Sequence, residues 1–284
     1  MKPSSALALL GIATLARSQP EEQSSRALWD SAFVQQRPAA APAAAKTVAA
    51  PKPVPLAAGL KGDLLGITVW RLRRSAAGDE AGSRVLVHDE NTTQEWTPER
   101  VSTDKPLAEG QRVRFSIEAA REGYLYIIDR EQYSSGALSE PYLLFPTRKI
   151  RGGDNRVVPG TVIEVPAWTD SPPYVRLQRS RPDQTAELLT ILISPQPMTG
   201  FEIGNNTIKL PAGQVAEWEK KWTVRTERLE APRTAGKTYT SAERKAATDA
   251  KPMTQVDPVP QTLYRVEANK DEPLLVNIPL LLEK

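Results

Sequence analysis

Gly123-Tyr-Leu-Tyr-Ile-Ile-Asp-Arg130 opens the stretch of sequence that decides the fold, and it is followed by Tyr142-Leu-Leu-Phe-Pro146 and Val162-Ile-Glu-Val-Pro166. Each of these runs is short and rich in β-branched and aromatic residues, which favour extended backbone. The connections between them contain Pro, Gly, Asp and Asn, the residues that form turns. The region Gly123–Val165 therefore predicts several strands of a compact antiparallel sheet.

Strand-like runs on both sides of this region extend the prediction. Leu64–Leu72 is apolar or β-favouring on both faces and Leu188–Ile193 is continuously apolar, so both are expected to be buried strands. Arg112–Glu118 alternates polar with apolar side chains, which predicts a strand with one face in water. Short strands at this spacing, joined by turns, favour an antiparallel β-sandwich or an open barrel, which we expect to occupy residues 59–230.

One α-helix is expected to pack on these strands. Apolar residues recur at helical spacing over residues 213–230, at Val215, Trp218, Trp222 and Leu229. Residues 231–258 are polar and low in apolar side chains, which predicts a flexible segment, although Thr240-Ser-Ala-Glu243 has the form of a capping box for a short helix. Residues 259–284 are expected to complete the domain as a β-hairpin, and Pro279 favours an edge position for its second strand.

The first residues have the layout of a secretory signal. Lys2 supplies a positive start, Ala6–Ala16 is an apolar run of about 11 residues, and Ala16-Arg17-Ser18 places small residues where signal peptidase reads the chain. A membrane-spanning helix needs about 20 apolar residues, so this run is too short to cross a bilayer. We therefore expect residues 1–18 to be a signal peptide cleaved after Ser18, and no membrane-spanning segment after its removal. The protein is expected to be secreted or periplasmic.

Residues 19–58 are expected to form a disordered spacer ahead of the β-domain. Repeated Pro and Ala, as in Arg37-Pro-Ala-Ala-Ala-Pro42 and Pro51-Lys-Pro-Val-Pro55, remove backbone donors and favour extended backbone. Such a spacer would hold a folded domain away from whatever its N-terminus contacts.

The composition excludes several classes of protein. The 284 residues carry a net charge of +3, and residues 1–18 hold two of the basic residues and no acidic one, so the mature chain is close to neutral. A near-neutral domain lacks the electropositive surface of a general nucleic-acid-binding protein, and we expect no nucleic acid among its partners. The chain has no cysteine and a single histidine, His88, which excludes disulfides, thiolate zinc sites and metal sites built on several histidines.

Catalytic chemistry has few candidates. A Ser-His-Asp arrangement would have to use His88, and no Gly-x-Ser-x-Gly motif exposes a serine, so nucleophilic catalysis is not expected. Paired carboxylates are the alternative. Asp129 with Glu131 or Glu140 could act as the acid and base of a glycan-directed hydrolase, if the fold brings two carboxyls to about 5 Å from each other.

Binding residues are expected on loops. Trp168 and Tyr174 lie in a Pro-rich loop, where a rigidly held aromatic ring either anchors a partner or closes the open end of the sandwich. Asp154 and Asn155 follow two glycines and are explained by turn formation; a calcium site shared with acids of the preceding strand is the alternative, but its ligand set is incomplete. We expect this turn to shape the surface around the two aromatics, and we assign no metal site and no cofactor.

The same region resembles a bacterial family known as domain of unknown function 4384. The resemblance covers roughly residues 64–197 and rests on the order of four pieces: Gly123-Tyr-Leu-Tyr-Ile-Ile-Asp129, Leu144-Phe-Pro-Thr147, Asp154-Asn-Arg-Val-Val-Pro-Gly160 and Ile163-Glu-Val-Pro166. It implies a secreted or surface-associated β-domain of a kind often found beside caspase-like peptidase or kinase domains, and no such partner domain fits in this chain. The family has no established catalytic residues, so the resemblance assigns none.

Together these observations predict an exported, non-catalytic β-domain that acts as an interaction module at the cell envelope. It would recognise an envelope protein or a polysaccharide through Trp168 and Tyr174, on a surface shaped by Asp154 and Asn155. The glycan-directed hydrolase that uses Asp129 is the alternative.

Overall fold

The computed structural model describes residues 32–37, 39, 62–89, 92–231, 234–248 and 252–284. The predicted signal sequence and most of the predicted spacer lie outside these residues. The described part of the chain is mainly β and forms two antiparallel sheets that pack face to face. The β-sandwich predicted from the sequence is confirmed.

The first sheet has eight strands among the described residues. They are β1 (Asp63–Arg74), β2 (Val85–Asp89), β3 (Thr92–Val101), β4 (Arg112–Ala119), β8 (Val162–Val165), β9 (Val175–Arg176), β12 (Thr226–Glu230) and β13 (Thr262–Val266). The central strand β1 pairs with β4 on one side and with both β3 and β13 on the other. Strands β2 and β12 lie beyond β3 and β13, while β8 and β9 pair with successive parts of β4.

The second sheet has six strands within the described ranges. Its order is β11 (Ile208–Lys209), β6 (Tyr142–Phe145), β5 (Gly123–Tyr133), β10 (Gln184–Ser194) and β14 (Leu274–Leu281), and β7 (Arg156–Val157) also pairs with β5. The hydrophobic strand β5 lies between β6 and β10 and pairs antiparallel with both, and β5 and β6 follow each other in the chain as a hairpin.

The facing sides of the two sheets form one hydrophobic core. Because side chains alternate along a strand, Leu65 and Ile67 of β1 face Ile127 of β5 and Ile191 of β10 across the sandwich. All four side chains are at most 1% exposed. This core fixes the distance between the sheets and therefore the geometry of any cavity between their edges.

Helix α1 (Ala212–Trp222) packs on the outer face of the second sheet through Val215, Trp218 and Trp222. The helix predicted over residues 213–230 is too long, because the chain leaves the helix at Thr223 and continues as strand β12. β-branched residues follow Trp222, and they favour the strand that pairs with β13. Among the described residues, the helices are too short or too polar to span a membrane.

The outer face of the first sheet is also buried, which corrects the prediction that Arg112–Glu118 has one face in water. Arg114 and Glu118 of β4 are 1% and 4% exposed. Each belongs to a buried ion pair: Arg114 donates to Glu164 at 2.7 Å, and Glu118 accepts from Arg37 at 2.6 Å. The alternation separates the two faces of the strand correctly, but distant segments of the chain cover the polar face.

Residues 32–37, which the sequence places in the disordered spacer, form one part of this cover. Phe33 is 2% exposed, and Arg37 donates to both carboxylate oxygens of Glu118 at 2.6 and 2.7 Å. Arg37 also donates to the carbonyl oxygens of residues 257 and 258 at 2.9 and 3.1 Å. The spacer prediction is therefore wrong for this short segment, whose partner on β4 is 81 residues away.

Residues 234–248 and 252–258 form the other part of the cover, so the prediction of a flexible segment over 231–258 is wrong for them. Tyr239 and Met253 are each 2% exposed. The capping box is confirmed, because the Thr240 hydroxyl accepts the Glu243 N–H at 3.2 Å and the Glu243 carboxylate accepts the Thr240 N–H at 2.9 Å. Helix α2 (Ser241–Thr248) begins at this box.

Strands β13 and β14 are neighbours in sequence but lie in different sheets, so the predicted C-terminal hairpin is wrong. β13 pairs with β1 and β12, whereas β14 pairs with β10. Residues 267–273 therefore cross from one sheet to the other and close that side of the sandwich. The edge position predicted for the strand that contains Pro279 is confirmed, since β14 ends the second sheet.

Candidate binding groove

Two cavities lie between β6 of the second sheet and β9 of the first. Each has a volume of about 330 Å³. Leu144 of β6 and Val175 of β9 line both cavities, so the cavities are neighbours along one side of the sandwich. We call the whole depression the inter-sheet groove, the part that contains Asp129 the acidic cavity, and the part that contains Tyr174 the polar cavity.

The acidic cavity arises where the inner face of the second sheet changes from apolar to acidic. On β5, Asp129 and Glu131 continue the face that carries Ile127, because side chains two residues apart point the same way. On β10, Glu187 continues the face that carries Leu189. Antiparallel pairing sets Glu187 opposite Glu131, so three carboxylates line one cavity.

Two of these carboxylates are incompletely hydrogen-bonded. Glu187 is 9% exposed, and one of its oxygens accepts from the Gln184 side chain at 2.8 Å. The other oxygen is buried and accepts no hydrogen bond from a donor group of the described residues, but the Glu187 carboxyl is hydrogen-bonded to that of Asp129. One oxygen of Asp129 is likewise buried and accepts no hydrogen bond from a donor group in the described structure. Glu131 is better satisfied, because it accepts from the Tyr133 hydroxyl at 2.7 Å and from the Ser180 hydroxyl.

Burial and the mutual repulsion of the carboxylates favour the protonated forms of the acids that line the acidic cavity. Burial, together with the neighbouring charge of Asp129, raises the pKa of Glu187 to about 8. Burial likewise raises the pKa of Asp129 to about 6, with a contribution from the charge of Glu131. At neutral pH, Asp129 and Glu187 therefore share about one proton between them, as a coupled pair does.

The opposite wall of the acidic cavity is formed by the end of β9 and by the residues that follow it. Arg176, Arg179 and Ser180 line it, and the Arg179 guanidinium donates to the carbonyl oxygen of Glu283. Within the described ranges, no lysine or arginine forms an ion pair with Asp129, Glu131 or Glu187. The remaining lining consists of the polar side chain of Gln178 and of the apolar residues Phe115, Leu144, Val175, Leu177, Leu189 and Leu280.

The polar cavity is formed largely by two loops. The loop between β8 and β9 contributes Pro166, Ser171, Pro172 and Tyr174. The loop before β11 contributes Asn205, Asn206 and Thr207, and Lys149 donates to the Asn206 side chain at 3.1 Å. The groove thus has a cation and amide groups at one end and carboxylates at the other.

The two aromatic residues predicted as contacts have different surroundings. Tyr174 is 8% exposed rather than displayed on the loop, and its ring lies over the Arg112 guanidinium at 4.8 Å while lining the polar cavity. Trp168 is half-buried, and its ring contacts the Arg114 guanidinium at 3.1 Å and the ring of Tyr239 at 5.6 Å. Both rings belong to one hydrophobic cluster with Trp96 on the first sheet, but Tyr174 also lines the polar cavity, whereas Trp168 lines neither cavity of the groove.

The side chains of Asp154 and Asn155 both form hydrogen bonds that stabilise the predicted turn. The Asn155 side-chain amide is buried and donates to the carbonyl oxygen of Leu125 at 3.0 Å. Asp154 is exposed, and its carboxylate accepts the Arg156 N–H at 3.1 Å. In the described part of the chain, no cluster of three or more acidic or histidine side chains has the geometry to hold a metal ion.

The candidate catalytic acids are only partly brought together. Asp129 and Glu131 line the same cavity, whereas Glu140 is exposed and lies 3.6 Å from the Lys209 ammonium. Glu187, which the sequence did not single out, replaces Glu140 as the second neighbour of Asp129. Glu187 lies two residues before Leu189, so the alternation along the strand places both on the same face of β10. Only the register of β10 against β5 shows that Glu187 lies next to Asp129. His88 is exposed on β2, away from these acids, and contacts the Thr93 hydroxyl at 2.8 Å.

A scan against protein-family models, a search of curated proteins and a search of solved structures each found no match to this chain. The resemblance of residues 64–197 to domain of unknown function 4384 is untested by these comparisons, and it stays a prediction. The geometry of the inter-sheet groove is therefore the observation on which a function has to rest.

Proposed function

We propose that this protein is an exported, non-catalytic binding module of the cell envelope, which holds a segment of an envelope protein or polysaccharide in the inter-sheet groove. The observation that carries this proposal is the pair of neighbouring cavities, each about 330 Å³, that meet at Leu144 and Val175. Ligand sites of this size are typically concave and apolar, with a few polar groups that fix the orientation of the ligand.

The walls of the groove are suited to binding without rearrangement. The residues next to Leu144 and Val175 are fully buried. Phe145 follows Leu144 on β6, and Val113 of β4 pairs with Val175 of β9. Side chains that are held by a packed core lose little conformational entropy when a ligand arrives. An elongated segment would contact amide groups at the polar end and carboxylates at the acidic end.

The envelope location rests on the predicted signal sequence. Residues 1–18 combine a basic start, an apolar run too short to span a bilayer, and small residues at the cleavage positions. Mass spectrometry of the mature protein, with Gln19 as the expected first residue, tests this part of the proposal.

Filling the groove tests the binding proposal. Ser171→Trp and Val175→Trp each place a large ring in the groove, and we expect each variant to bind isolated envelope protein and polysaccharide fractions at least tenfold more weakly than the wild type. Val158→Trp is the matched control, because Val158 is 45% exposed and lies outside both cavities. Equal retention of all three folded variants on every fraction would refute binding through the groove.

A hydrolase that uses Asp129 is the second candidate, and one observation favours it. The raised pKa values of Asp129 and Glu187, about 6 and about 8, give one acid and one base near neutral pH, as hydrolysis of a glycosidic bond requires. Asp129→Asn should then abolish the release of reducing ends from envelope glycans, while Glu140→Gln should retain it. If the wild type releases no reducing ends, the hydrolase is excluded and binding remains as the proposed function.

A further inference from the structure

We infer that the acidic cavity takes the ammonium group of a lysine-type side chain, so that the segment held in the groove is a protein segment that presents a lysine. This inference rests on the proposed binding function and names the chemistry of its ligand. It commits to a cation on an alkyl stem, rather than to an amino sugar of a polysaccharide.

The first argument is the missing counter-charge. Buried acids elsewhere in the protein have an arginine partner: Glu118 has Arg37 and Glu164 has Arg114. Glu187 is 9% exposed, against 4% for Glu118 and 3% for Glu164, and it forms no ion pair among the described residues, although Arg176 and Arg179 line the same cavity. A buried carboxylate without a counter-charge costs free energy, and a ligand cation would supply what the chain does not.

The second argument is the arrangement of acceptors. One oxygen of Glu187 and one of Asp129 are buried and accept no hydrogen bond from any other described residue, and the two carboxyls hydrogen-bond each other through the proton that they share. Glu131 lines the same cavity and offers a third carboxylate. An ammonium group carries three donors and no acceptor, so it can replace the shared proton and donate to Glu187 and Asp129 together.

The third argument is the apolar lining. Arg176, Gln178, Arg179 and Ser180 form the polar wall of the cavity, and Phe115, Leu177 and Leu280 form an apolar wall beside the carboxylates. Four methylene groups of a lysine stem would contact this apolar wall favourably, whereas the hydroxyls of an amino sugar would lose their hydrogen bonds to water there. The cavity of about 330 Å³ has room for one side chain of this length.

Binding of the cation should release protons from the cavity. Burial raises the pKa of Glu187 to about 8, so a cation that needs its carboxylate competes with a proton below that pH. The other charged or titratable groups that line or border the cavity are Asp129, Glu131, Tyr133, Arg176 and Arg179. Arg130 of β5 points to the other face of the sheet, where it pairs with Glu219. Affinity for the cation should therefore rise between pH 6 and pH 8.

The test compares two probes that differ only in charge, with the full chain as the protein. Nα-acetyl-lysine N-methylamide carries the ammonium, and Nα-acetyl-norleucine N-methylamide is its neutral counterpart. By calorimetric or NMR titration at pH 8, we expect the lysine probe to bind at least tenfold more tightly, with a smaller difference at pH 6. Glu187→Gln should abolish the preference, and Glu140→Gln, which changes an exposed carboxylate, should keep it.

Three results would overturn the inference. Equal affinity for the two probes would remove the role of charge, preference retained in Glu187→Gln would remove this cavity, and tighter binding of glucosamine would assign the site to an amino sugar. Failure here is distinguishable from failure of the proposed function. If Ser171→Trp and Val175→Trp still weaken binding to envelope fractions, the groove binds a ligand and only the lysine assignment is wrong.

Discussion

Glu187 and Asp129 bind their protons more tightly in the folded chain than in the unfolded one, because burial disfavours their charged forms. The contribution of these groups to stability is therefore fully present below about pH 4, and it is lost as the pH rises through the raised pKa values, about 6 and about 8. The acidic cavity makes the protein less stable in alkaline solution unless a cation occupies it.

Glu187→Gln should accordingly be more stable than the wild type at pH 8.5 and close to it at pH 4. A pKa unit corresponds to about 1.4 kcal/mol, and relaxation of the cavity reduces the full effect, so we expect a gain of about 1 to 3 kcal/mol at pH 8.5. Urea denaturation at the two pH values measures it. Glu140→Gln should show no such pH dependence, and parallel stability curves for Glu187→Gln and the wild type would contradict the raised pKa.

Arg37 is a second residue whose loss has a predictable cost. Arg37→Ala leaves Glu118, 4% exposed, as a buried carboxylate without its bidentate partner, and this should destabilise the fold by about 3 to 5 kcal/mol. Arg181→Ala removes an ion pair whose partners are 56% and 38% exposed, so it should cost less than about 1 kcal/mol. Thermal and urea unfolding compare the two. Equal effects would mean that the Arg37 pair contributes no more than a surface pair.

Single residues show where prediction from the sequence stops. The alternation along β4 predicts which side chains share a face, but it assigns Arg114 and Glu118 to water, because their partners Glu164 and Arg37 are 50 and 81 residues away. Asp129 and Glu131 are recognisable as neighbours from their spacing alone. Glu187 is not, because its contact with them depends on the register between two strands.

Helix α2 begins at a capping box that can be recognised in the sequence, and it allows a test of the segment that covers the first sheet. Thr240→Val keeps the shape of the side chain but removes the hydroxyl that accepts the Glu243 N–H. We expect a loss of about 1 kcal/mol, seen as a lower unfolding temperature. Thr248→Val, which removes an exposed hydroxyl bonded to a carbonyl of the same helix, should change stability by less than about 0.5 kcal/mol. An equal effect at both positions would argue against the cap.

The sequence predicts a helix or a strand correctly where a local signal determines it. The prediction fails where pairing with a distant strand determines it. The capping box marks the start of α2, and turn residues mark the hairpin of β5 with β6. Leu229 matches the helical spacing of α1 by coincidence, because its backbone is taken into β12 by pairing with β13. The C-terminal strands are correctly recognised, but β13 and β14 each pair with a distant strand rather than with each other.

The molecule as a whole depends on residues that its composition assigns to a spacer. Phe33 packs with Leu64 and Leu263, and Arg37 joins β4 to the chain around Asp257, so residues 32–37 hold three distant parts of the fold together. The class of fold is set by many short strands and is legible in the sequence. The boundary of the domain is not, because one aromatic and one arginine inside an Ala- and Pro-rich stretch are too few to register as a packed element.

A chain that begins at residue 56 should therefore form a less stable domain, although it retains every strand of the described structure. Removing Phe33 and Arg37 uncovers apolar surface and leaves Glu118 buried without a partner, so we expect lower stability by several kcal/mol. Hydrogen exchange should be faster in β4 and in residues 252–260, while the second sheet keeps its protection. A chain that begins at residue 31 is the control, because it keeps Phe33 and Arg37, and it should be the more stable of the two. Unchanged exchange in the shorter chain would show that the segment rests on the domain without stabilising it.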